Sequence, residues 1–442
     1  MARLLHALRR VLGLTTPSAT AGPQARSIDT DFSIFREGDR AVLHQKQPQL
    51  TKPLKAGDKT QLRRGYVAHD RIIGSRVWNA VQAHKGRTRS MTSPLPTLEE
   101  YVALTPRLVT PIYSHDGNLI VSLLDIHVNP PAAAETQPPL EILESGTGHG
   151  SLTLHLARAI HAANTTPPPR PSQSQIQYLE DRNKKPGEED TNQAAGNQTA
   201  TSDDTTQQEW DTWRMERNAV IHTVDVSPKF SALAERNVRG FRRGIYAGDV
   251  DFYVGPVENW IAEQTKRRTK TGVLSALTGP SLVEPFLSHA ILDMPSAHLR
   301  IPHVAPILRR DGYLVVFMPS ITQIGECVQI IRKQRLPFVQ ERVVELGLGM
   351  TSGRHWDVRL AIKKSGADPS SWAASAAEET APSADAEEAA FPAEDSVDDV
   401  TVPEEPVKDE EPVMVCRPKV GIRTVGGGFV GIWRRIEDPS GR

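Results

Sequence analysis

Short apolar runs and amphipathic stretches alternate along the sequence from about residue 140 onward. Leu140–Leu143, Val220–Val224 and Val250–Val254 are mainly apolar, as expected for strands whose two faces are both buried. Ser151–Ala162 and Lys229–Phe241 instead carry apolar residues at helical spacing. This repeated order of strand and helix predicts an α/β fold built on a mostly parallel sheet.

The same alternation continues further along the chain. A strand, a helix, a strand and a helix are predicted in that order at Ala290–Leu292, His303–Leu308, Gly312–Phe317 and Ile321–Gln334. Two more extended segments, Phe338–Leu346 and Trp356–Ile362, are expected to complete the sheet with an antiparallel pair. Residues 413–442 also contain β-rich segments, and we expect a strand there to return to the same domain.

The preceding part of the chain has a different rhythm. In residues 29–95 short apolar runs alternate with turn residues, which predicts a small β-rich N-terminal domain. A short helix is predicted from Pro96 to about Leu104, with Thr97 as its N-cap. It leads into the larger α/β domain, which we place at residues 96–364.

Two tracts interrupt this order because their composition favours disorder. Residues 165–217 form a polar, Pro-rich insertion, and residues 365–412 are rich in Ala, Glu, Asp and Pro. The second tract has a net charge of −14, so the rest of the chain carries +13 within the overall −1. A basic body with an acidic tether fits a phosphate-rich partner, and ordinary surface charge is the other interpretation.

Residues 1–28 contain no Asp or Glu and place four Arg among Leu residues at helical spacing. This composition is typical of a mitochondrial transit peptide and predicts the mitochondrial matrix, with a disordered basic tail as the alternative. The two cysteines, Cys327 and Cys416, lack metal-binding spacing, so no metal is expected. No apolar run reaches the length that spans a bilayer, so we expect no membrane partner.

The most informative motif joins the first strand of the α/β domain to its first helix. Glu144 is followed by Gly146, Gly148 and Gly150. Glycines allow a tight turn and a close approach to a ligand, and the helix start points free N–H groups at it. The motif predicts a cofactor loop, and a strand-to-helix turn without ligand is the alternative. Asp225, at the end of the second strand, stands where a carboxylate binds a ribose.

Details of the loop favour one class of cofactor. A dinucleotide site usually reads G-x-G-x-x-G, whereas this loop reads G-x-G-x-G and follows an acid. An acid beside the loop suits the ammonium or sulfonium end of S-adenosylmethionine. The residues predicted to bind that cofactor are Glu144, Gly146, Thr147, Gly148, Gly150, Ser151 and Asp225.

A later strand ends in Asp293-Met294-Pro295, at the sheet edge where open α/β folds bind ligands. A carboxylate at that place is suited to accept a hydrogen bond from the exocyclic amine of a flat substrate. The alternative is that Asp293 caps the following turn, because Asp and Pro are both common in turns.

Seven segments match the motifs of one family and span much of the predicted fold. They are Pro96–Tyr101, Thr110–Tyr113 with His115 and Asp116, Leu143–Thr153, Ala234–Val238, Leu292–Pro295, Pro319–Gln323 and His355–Leu360. Together they resemble the catalytic-subunit family of tRNA (adenine-58-N1)-methyltransferases, possible subgroups being fungal-type or mitochondrial members. The resemblance implies a Rossmann-like class I methyltransferase sheet, S-adenosylmethionine as cofactor, and methylation of adenine N1 at tRNA position 58. It also implies that Asp293 holds the target adenine.

The sequence departs from the family at three places. Ser296-Ala-His298 stands where many relatives have a Trp after the Asp-x-Pro motif. Pro256 lies where many have an Asp that meets the cofactor's adenine, so Val257, Glu258 or backbone groups are predicted to take that role. His149 replaces a small Ser, and it is expected either to point to solvent or to contact the cofactor or the target base.

The family resemblance also implies tRNA as partner and either a homotetramer or a heterotetramer with a non-catalytic subunit. It adds the nucleus as the alternative to the mitochondrial matrix. Two other functions stay open, a non-catalytic tRNA-binding subunit of the same complex and a methyltransferase for another RNA or for protein. The glycines with Asp225 and Asp293 favour a catalytic chain, and the basic remainder favours RNA.

Overall fold

The computed structural model describes eleven stretches of the chain. They are residues 28–44, 47–62, 65–84, 89–92, 95–131, 138–180, 202–269, 284–347, 356–361, 413–418 and 427–437. The chain forms two compact units, residues 1–348 with 426–442, and residues 349–425. The first unit contains both the small N-terminal domain and the larger α/β domain.

The N-terminal domain is β-rich, as predicted. Its strands are β1 (Val42–His44), β2 (Gln49–Leu50), β3 (Lys59–Gln61), β4 (Tyr66–Ala68), β5 (Ala80–Gln82) and β6 (Arg89–Thr92). Four of them form a sheet in the order β2-β1-β6-β5, and β3 pairs with β4. A separate core that includes Phe35, Leu43 and Ile72 lies between these strands. The Arg243 guanidinium joins the domain to the rest of the unit, because it donates to the Asp39 carboxylate at 2.8 and 2.9 Å.

The α/β domain is built on one eight-stranded sheet. Its strands are β7 (Leu140–Ser145), β8 (Gln177–Tyr178), β9 (Ala219–Asp225), β10 (Val250–Val254), β11 (Leu287–Leu292), β12 (Leu308–Met318), β13 (Phe338–Glu345) and β16 (Phe429–Arg435). The order is β13-β16-β12-β11-β7-β9-β10-β8, parallel from β12 to β8, with β16 antiparallel to both its neighbours. Because β7 lies between β9 and β11, the strand order reverses there. This arrangement confirms the predicted Rossmann-like class I methyltransferase sheet.

Helices connect these strands and cover the sheet. They are α1 (Leu98–Leu104), α2 (Ser114–Leu123), α3 (Ser151–Ile160), α4 (Ser202–Met215), α5 (Pro228–Gly240), α6 (Val257–Thr269), α7 (Ile301–Val304) and α8 (Ile321–Lys333). Thr97 caps α1 in a capping box with Glu100, as the sequence predicted for that N-cap. The helix predicted at His303–Leu308 was misplaced. It begins at Ile301 because Pro302 is suited to the first helical turn, and β12 already starts at Leu308. None of the helices in the described stretches is long and apolar enough to cross a membrane.

The prediction that residues 165–217 are disordered was wrong for both flanks of that tract. β8 pairs with β10, and α4 packs against the sheet with Trp210 only 2% exposed. Arg214 and Arg217 both form ion pairs with the buried Asp251 carboxylate. Composition alone hides such anchors, because a few aromatic and charged residues can fix a segment that is polar on average. Residues 181–201 lie outside the described stretches.

The carboxyl-terminal region was predicted in part. β16 returns to the main sheet, between β12 and β13, as expected of residues 413–442. The strand predicted at Trp356–Ile362 does not finish that sheet. It is β14 (Trp356–Ala361), which pairs with β15 (Val413–Pro418) in the second unit. The acidic tract 365–412, and residues 1–28 apart from Ile28, lie outside the described stretches.

Candidate cofactor and substrate site

A cavity of about 430 Å³ opens at the carboxyl ends of the parallel strands, where the strand order reverses. Its lining includes Thr110, Ile112, Glu144, Gly146, Thr147, Gly148, His149, Ser151, Asp225, Phe230, Gly255, Val257 and Asp293. They come from the loops after β7, β9, β10 and β11 and from the segment before α2. The sheet register explains this convergence, since Ser145 of β7 pairs with Val224 on one side and with Leu292 on the other.

Gly146 marks the closest contact between two of these loops. Its φ of +100° lies in the region that favours glycine, and its N–H donates to the Val224 carbonyl at 2.9 Å. A Cβ at this position would lie 1.8 Å from the Asp293 carbonyl oxygen. The loop can therefore lie beside the Asp293 strand only with glycine at this position.

Asp225 is bound to the glycine loop through its carboxylate. One carboxylate oxygen accepts the Gly148 N–H at 3.1 Å and the other accepts the Ser227 N–H at 2.8 Å. Burial raises the pKa of Asp225 above its usual value, and these backbone donors act in the opposite direction. Thr147, also predicted in the site, shares a hydrogen bond of 2.7 Å with the Thr223 hydroxyl. The Asp225 carboxylate lies at the place where doubly wound folds hold a ribose.

Glu144 is a buried acid beneath the loop. Its carboxyl accepts the Thr153 hydroxyl at 2.6 Å. Burial raises the pKa of Glu144 to about 8, and the nearby Asp293 and Asp225 add to that effect. The side chain therefore carries a proton at neutral pH while no cation lies beside it.

Asp293 completes a group of three carboxyls. Its N–H donates to the Ser145 carbonyl at 2.8 Å, which fixes the residue next to the glycine loop. Burial raises the pKa of Asp293 to about 7, and the charge of Asp225 contributes. Three acids from three neighbouring strands form a pocket that favours a cation, because a positive charge would offset their mutual repulsion.

Gly150 and Ser151 have mainly structural contacts. Gly150 has a φ of +85°, and a Cβ there would lie 3.3 Å from Ala234 of α5. Gly150 is absent from the cavity lining, and its close approach to Ala234 gives it a role in helix packing, while its cofactor contact stays a prediction. Ser151 does line the cavity, but its hydroxyl donates to the Ile112 carbonyl at 2.5 Å and holds the segment before α2 in place.

Of the predicted pair Val257 and Glu258, one residue lines the cavity and the other does not. Val257 lines the cavity. Glu258 does not, because its carboxylate points to the Arg300 guanidinium 2.8 Å away, in the turn that follows Asp293. Consecutive residues at a helix start face different directions, so the two neighbours have different surroundings. A cofactor contact of Glu258 stays a prediction.

Two lining residues add to the predicted site, since Phe230 was not foreseen from the sequence and His149 was foreseen only as one of two alternatives. Phe230, in the first turn of α5, provides an aromatic wall, and its only signal was its position five residues after Asp225. His149 lines the cavity but is only 3% exposed, so the expectation that it points to solvent was wrong. Burial lowers the pKa of His149, so the imidazole is neutral at pH 7.

The sheet order and the acid-lined glycine pocket are those of the class I fold of S-adenosylmethionine-dependent methyltransferases. The cofactor fits these residues, because the glycine loop leaves the room that side chains would fill and the acids favour its positive charge. No group of three or more His, Cys, Asp or Glu suited to a metal occurs within the described stretches.

Comparison with known proteins finds that the chain is similar in sequence to tRNA methyltransferases. No protein-family model matches it. Over 308 residues it is 26% identical to the tRNA (adenine(58)-N(1))-methyltransferase TrmI of one Thermus thermophilus strain, covering 70% of this chain and 83% of that protein. The TrmI of a second strain of that species gives the same identity and coverage, 26% over 70% and 83%. This similarity confirms the resemblance found in the sequence motifs.

Two solved structures are similar to the chain along most of its length. The tRNA (m1A58) methyltransferase TrmI from Aquifex aeolicus superposes with a TM-score of 0.47 at 14% identity, covering 91% of this chain and 99% of that one. An S-adenosylmethionine-dependent O-methyltransferase from Thermotoga maritima gives 0.47 at 13% identity, covering 92% and 96%.

Proposed function

We propose that the protein methylates N1 of the adenine at position 58 of tRNA, with S-adenosylmethionine as methyl donor. The observation that carries the proposal is the position of Asp293, which lies against the glycine loop inside the same cavity as Asp225. The sequence similarity to two tRNA (adenine(58)-N(1))-methyltransferases supports the choice of RNA and of the base.

The cofactor supplies an activated methyl group on a sulfonium when it is bound. Asp225 would accept hydrogen bonds from its ribose hydroxyls, and Gly146 and Gly148 would leave room for it beside the backbone. Glu144 and Asp293 would hold the positively charged end, and that charge would favour the ionised form of both carboxyls. Phe230 and Val257 add apolar walls to the same cavity.

Asp293 performs the recognition of the target base. Its carboxylate accepts a hydrogen bond from the N6 amine of adenine, and this contact turns N1 toward the methyl donor. The methylated ring is a cation, so the same carboxylate stabilises the charge that develops during transfer. The target adenine has to leave its stacked position in the RNA to reach Asp293 in this cavity.

Methyl transfer from radiolabelled cofactor to purified tRNA tests the proposal. Wild-type protein is expected to label tRNA with adenine at position 58 and not tRNA with guanine there. Asp293→Ala should reduce the rate by at least about 100-fold, because the substitution removes both orientation and charge stabilisation. Asp125→Asn is the matched control, since Asp125 is exposed and lies outside the cavity lining.

Two results would contradict the proposal. Labelling of protein or of another RNA, with none in tRNA, would indicate a different substrate class. Cofactor binding without any transfer, by the chain alone and with a partner subunit, would favour the non-catalytic alternative. The oligomeric state and the compartment stay predictions, which size-exclusion chromatography and localisation of the tagged protein would test.

A further inference from the structure

Trp78 is an exposed aromatic residue in a strained conformation. Its side chain is 57% exposed, and its φ of +67° lies in the left-handed region that bulky residues rarely adopt. The core of the N-terminal domain is formed by other residues, such as Phe35 and Val81. Folding of the domain therefore does not explain why a large ring is held outward at a backbone position that costs free energy.

A second exposed ring lies next to it. The His44 imidazole, at the end of β1, is stacked on the Trp78 indole with ring centroids 6.3 Å apart and planes 6° from parallel. Two nearly parallel aromatic rings at a surface present flat faces of the kind on which nucleic-acid bases stack.

The charge of the domain favours a polyanionic partner. Residues 29–95 contain thirteen Lys and Arg against six Asp and Glu, a net charge of +7 with His neutral. Arg76 and Asn79, which flank the ring in sequence, are exposed as well. A protein partner would be expected to require a wider apolar patch, whereas an exposed aromatic ring on a domain of net positive charge is typical of proteins that bind single-stranded nucleic acid.

We propose that Trp78 and His44 form a stacking platform for an unpaired base of the RNA substrate. The inference rests on the proposed function and deepens it, because it assigns a substrate contact to the N-terminal domain. The basic residues of the domain hold the phosphates, and the two rings hold one base whose identity matters little, since every base has a flat face.

Binding of fluorescently labelled tRNA, measured by anisotropy at a fixed salt concentration, tests the platform. Trp78→Asn removes the ring while Asn tolerates the left-handed backbone, so the fold should persist. We expect Trp78→Asn to weaken tRNA binding about 5- to 100-fold and Trp78→Phe to restore most of the affinity. His44→Ala should cause a smaller loss in the same direction. The affinity for S-adenosylmethionine, measured by calorimetry, should not change in any of these variants.

Tyr178→Ala is the matched control, because Tyr178 is an aromatic residue that is 70% exposed and lies at the edge of the α/β sheet. Unchanged tRNA binding by Trp78→Asn, or an equal loss in Tyr178→Ala, would overturn the platform. A changed oligomeric state of Trp78→Asn without a loss of RNA affinity would also overturn it and would indicate a protein contact. Failure of wild-type protein to methylate tRNA would instead contradict the proposed function, so the two failures are distinguishable.

Discussion

Gly146 shows at the scale of one residue how the cofactor loop and the Asp293 strand depend on each other. Gly146→Ala would place a Cβ 1.8 Å from the Asp293 carbonyl oxygen, so one of the two loops must move. We expect at least a tenfold loss of S-adenosylmethionine affinity in calorimetry, because a shift of about 1 Å already disrupts an oriented site.

Gly325→Ala provides the control with the same chemical change. Gly325 lies inside α8, and a Cβ there would meet open space. The substitution should stabilise the protein by about 0.5–1 kcal/mol, because alanine loses less backbone entropy in a helix. Equal cofactor affinity of Gly146→Ala and Gly325→Ala would contradict the proposed packing of the loop.

Asp293 also makes the free energy of unfolding depend on pH. Its pKa is about 7 in the folded protein against 3.8 ordinarily, so between these values the folded state holds a proton that the unfolded chain has lost. Stability therefore falls as pH rises through this window. Asp293→Asn removes the free-energy cost of burying the ionised carboxylate. The variant should be more stable than wild type by up to about 4 kcal/mol at pH 8, and by less at pH 5.

Denaturant unfolding of the cofactor-free protein at pH 5 and pH 8 measures this difference. Asp125→Asn should show no comparable gain, because that carboxylate is exposed. The variant that gains stability is expected to lose methyl transfer, which is common where a site keeps buried charge for function. A gain that is equal at both pH values would show that burial of the Asp293 charge is not its cause.

At the scale of elements, α4 is attached to the sheet through buried charge. Burial alone would raise the pKa of Asp251, but Arg217 and Arg214 hold it well below its usual range. Arg217→Met leaves that buried carboxylate with one partner fewer and should lower the free energy of unfolding by about 3 kcal/mol. Arg267→Met, which affects a more exposed pair with Glu263, should change it by less than about 0.5 kcal/mol. Thermal unfolding of both variants distinguishes the two cases, and equal losses would refute a buried anchor.

The elements also show which features the sequence could reveal. Parallel strands such as β9 are apolar over most of their length because both faces are covered, so their positions were predictable. α4 was not predictable in this way, since its polar composition resembles that of a disordered segment. Trp210 and the two arginines help to attach it, and the partner of those arginines lies 34 residues or more away in the chain.

In the candidate site, too, some features were predictable from the sequence and others were not. Glu144, Asp225 and Asp293 were predictable because each follows or ends an apolar strand, and parallel strands bring such positions to one edge. The direction of a single side chain is decided by tertiary neighbours. Glu258 is an example, since its partner Arg300 belongs to a turn that no sequence pattern places beside it.

At the scale of the whole molecule, the nearly neutral net charge is the sum of an acidic tract and a basic remainder. The net charge is −1, but residues 365–412 carry −14 and the remainder +13. If the basic remainder binds tRNA through phosphates, the affinity must fall steeply with salt. We expect at least a tenfold loss of tRNA binding between about 50 and 200 mM salt, with less than about a threefold change for S-adenosylmethionine. Anisotropy and calorimetry on the same protein sample measure both, and a flat salt response for tRNA would contradict phosphate-dominated binding.

The insertion of β16 between β12 and β13 has a consequence for the synthesis of the protein on the ribosome. β12 ends at Met318, and β13 begins 20 residues later at Phe338. β16, which pairs with both, begins at Phe429, more than 80 residues after the end of β13. Until residue 435 has been translated, β16 is missing from the sheet of the nascent chain. The backbone groups of β12 and β13 that pair with β16 are then unpaired. A premature stop codon anywhere between the end of β13 and Phe429 should therefore yield an aggregation-prone fragment, even though every residue of the cofactor pocket is already present.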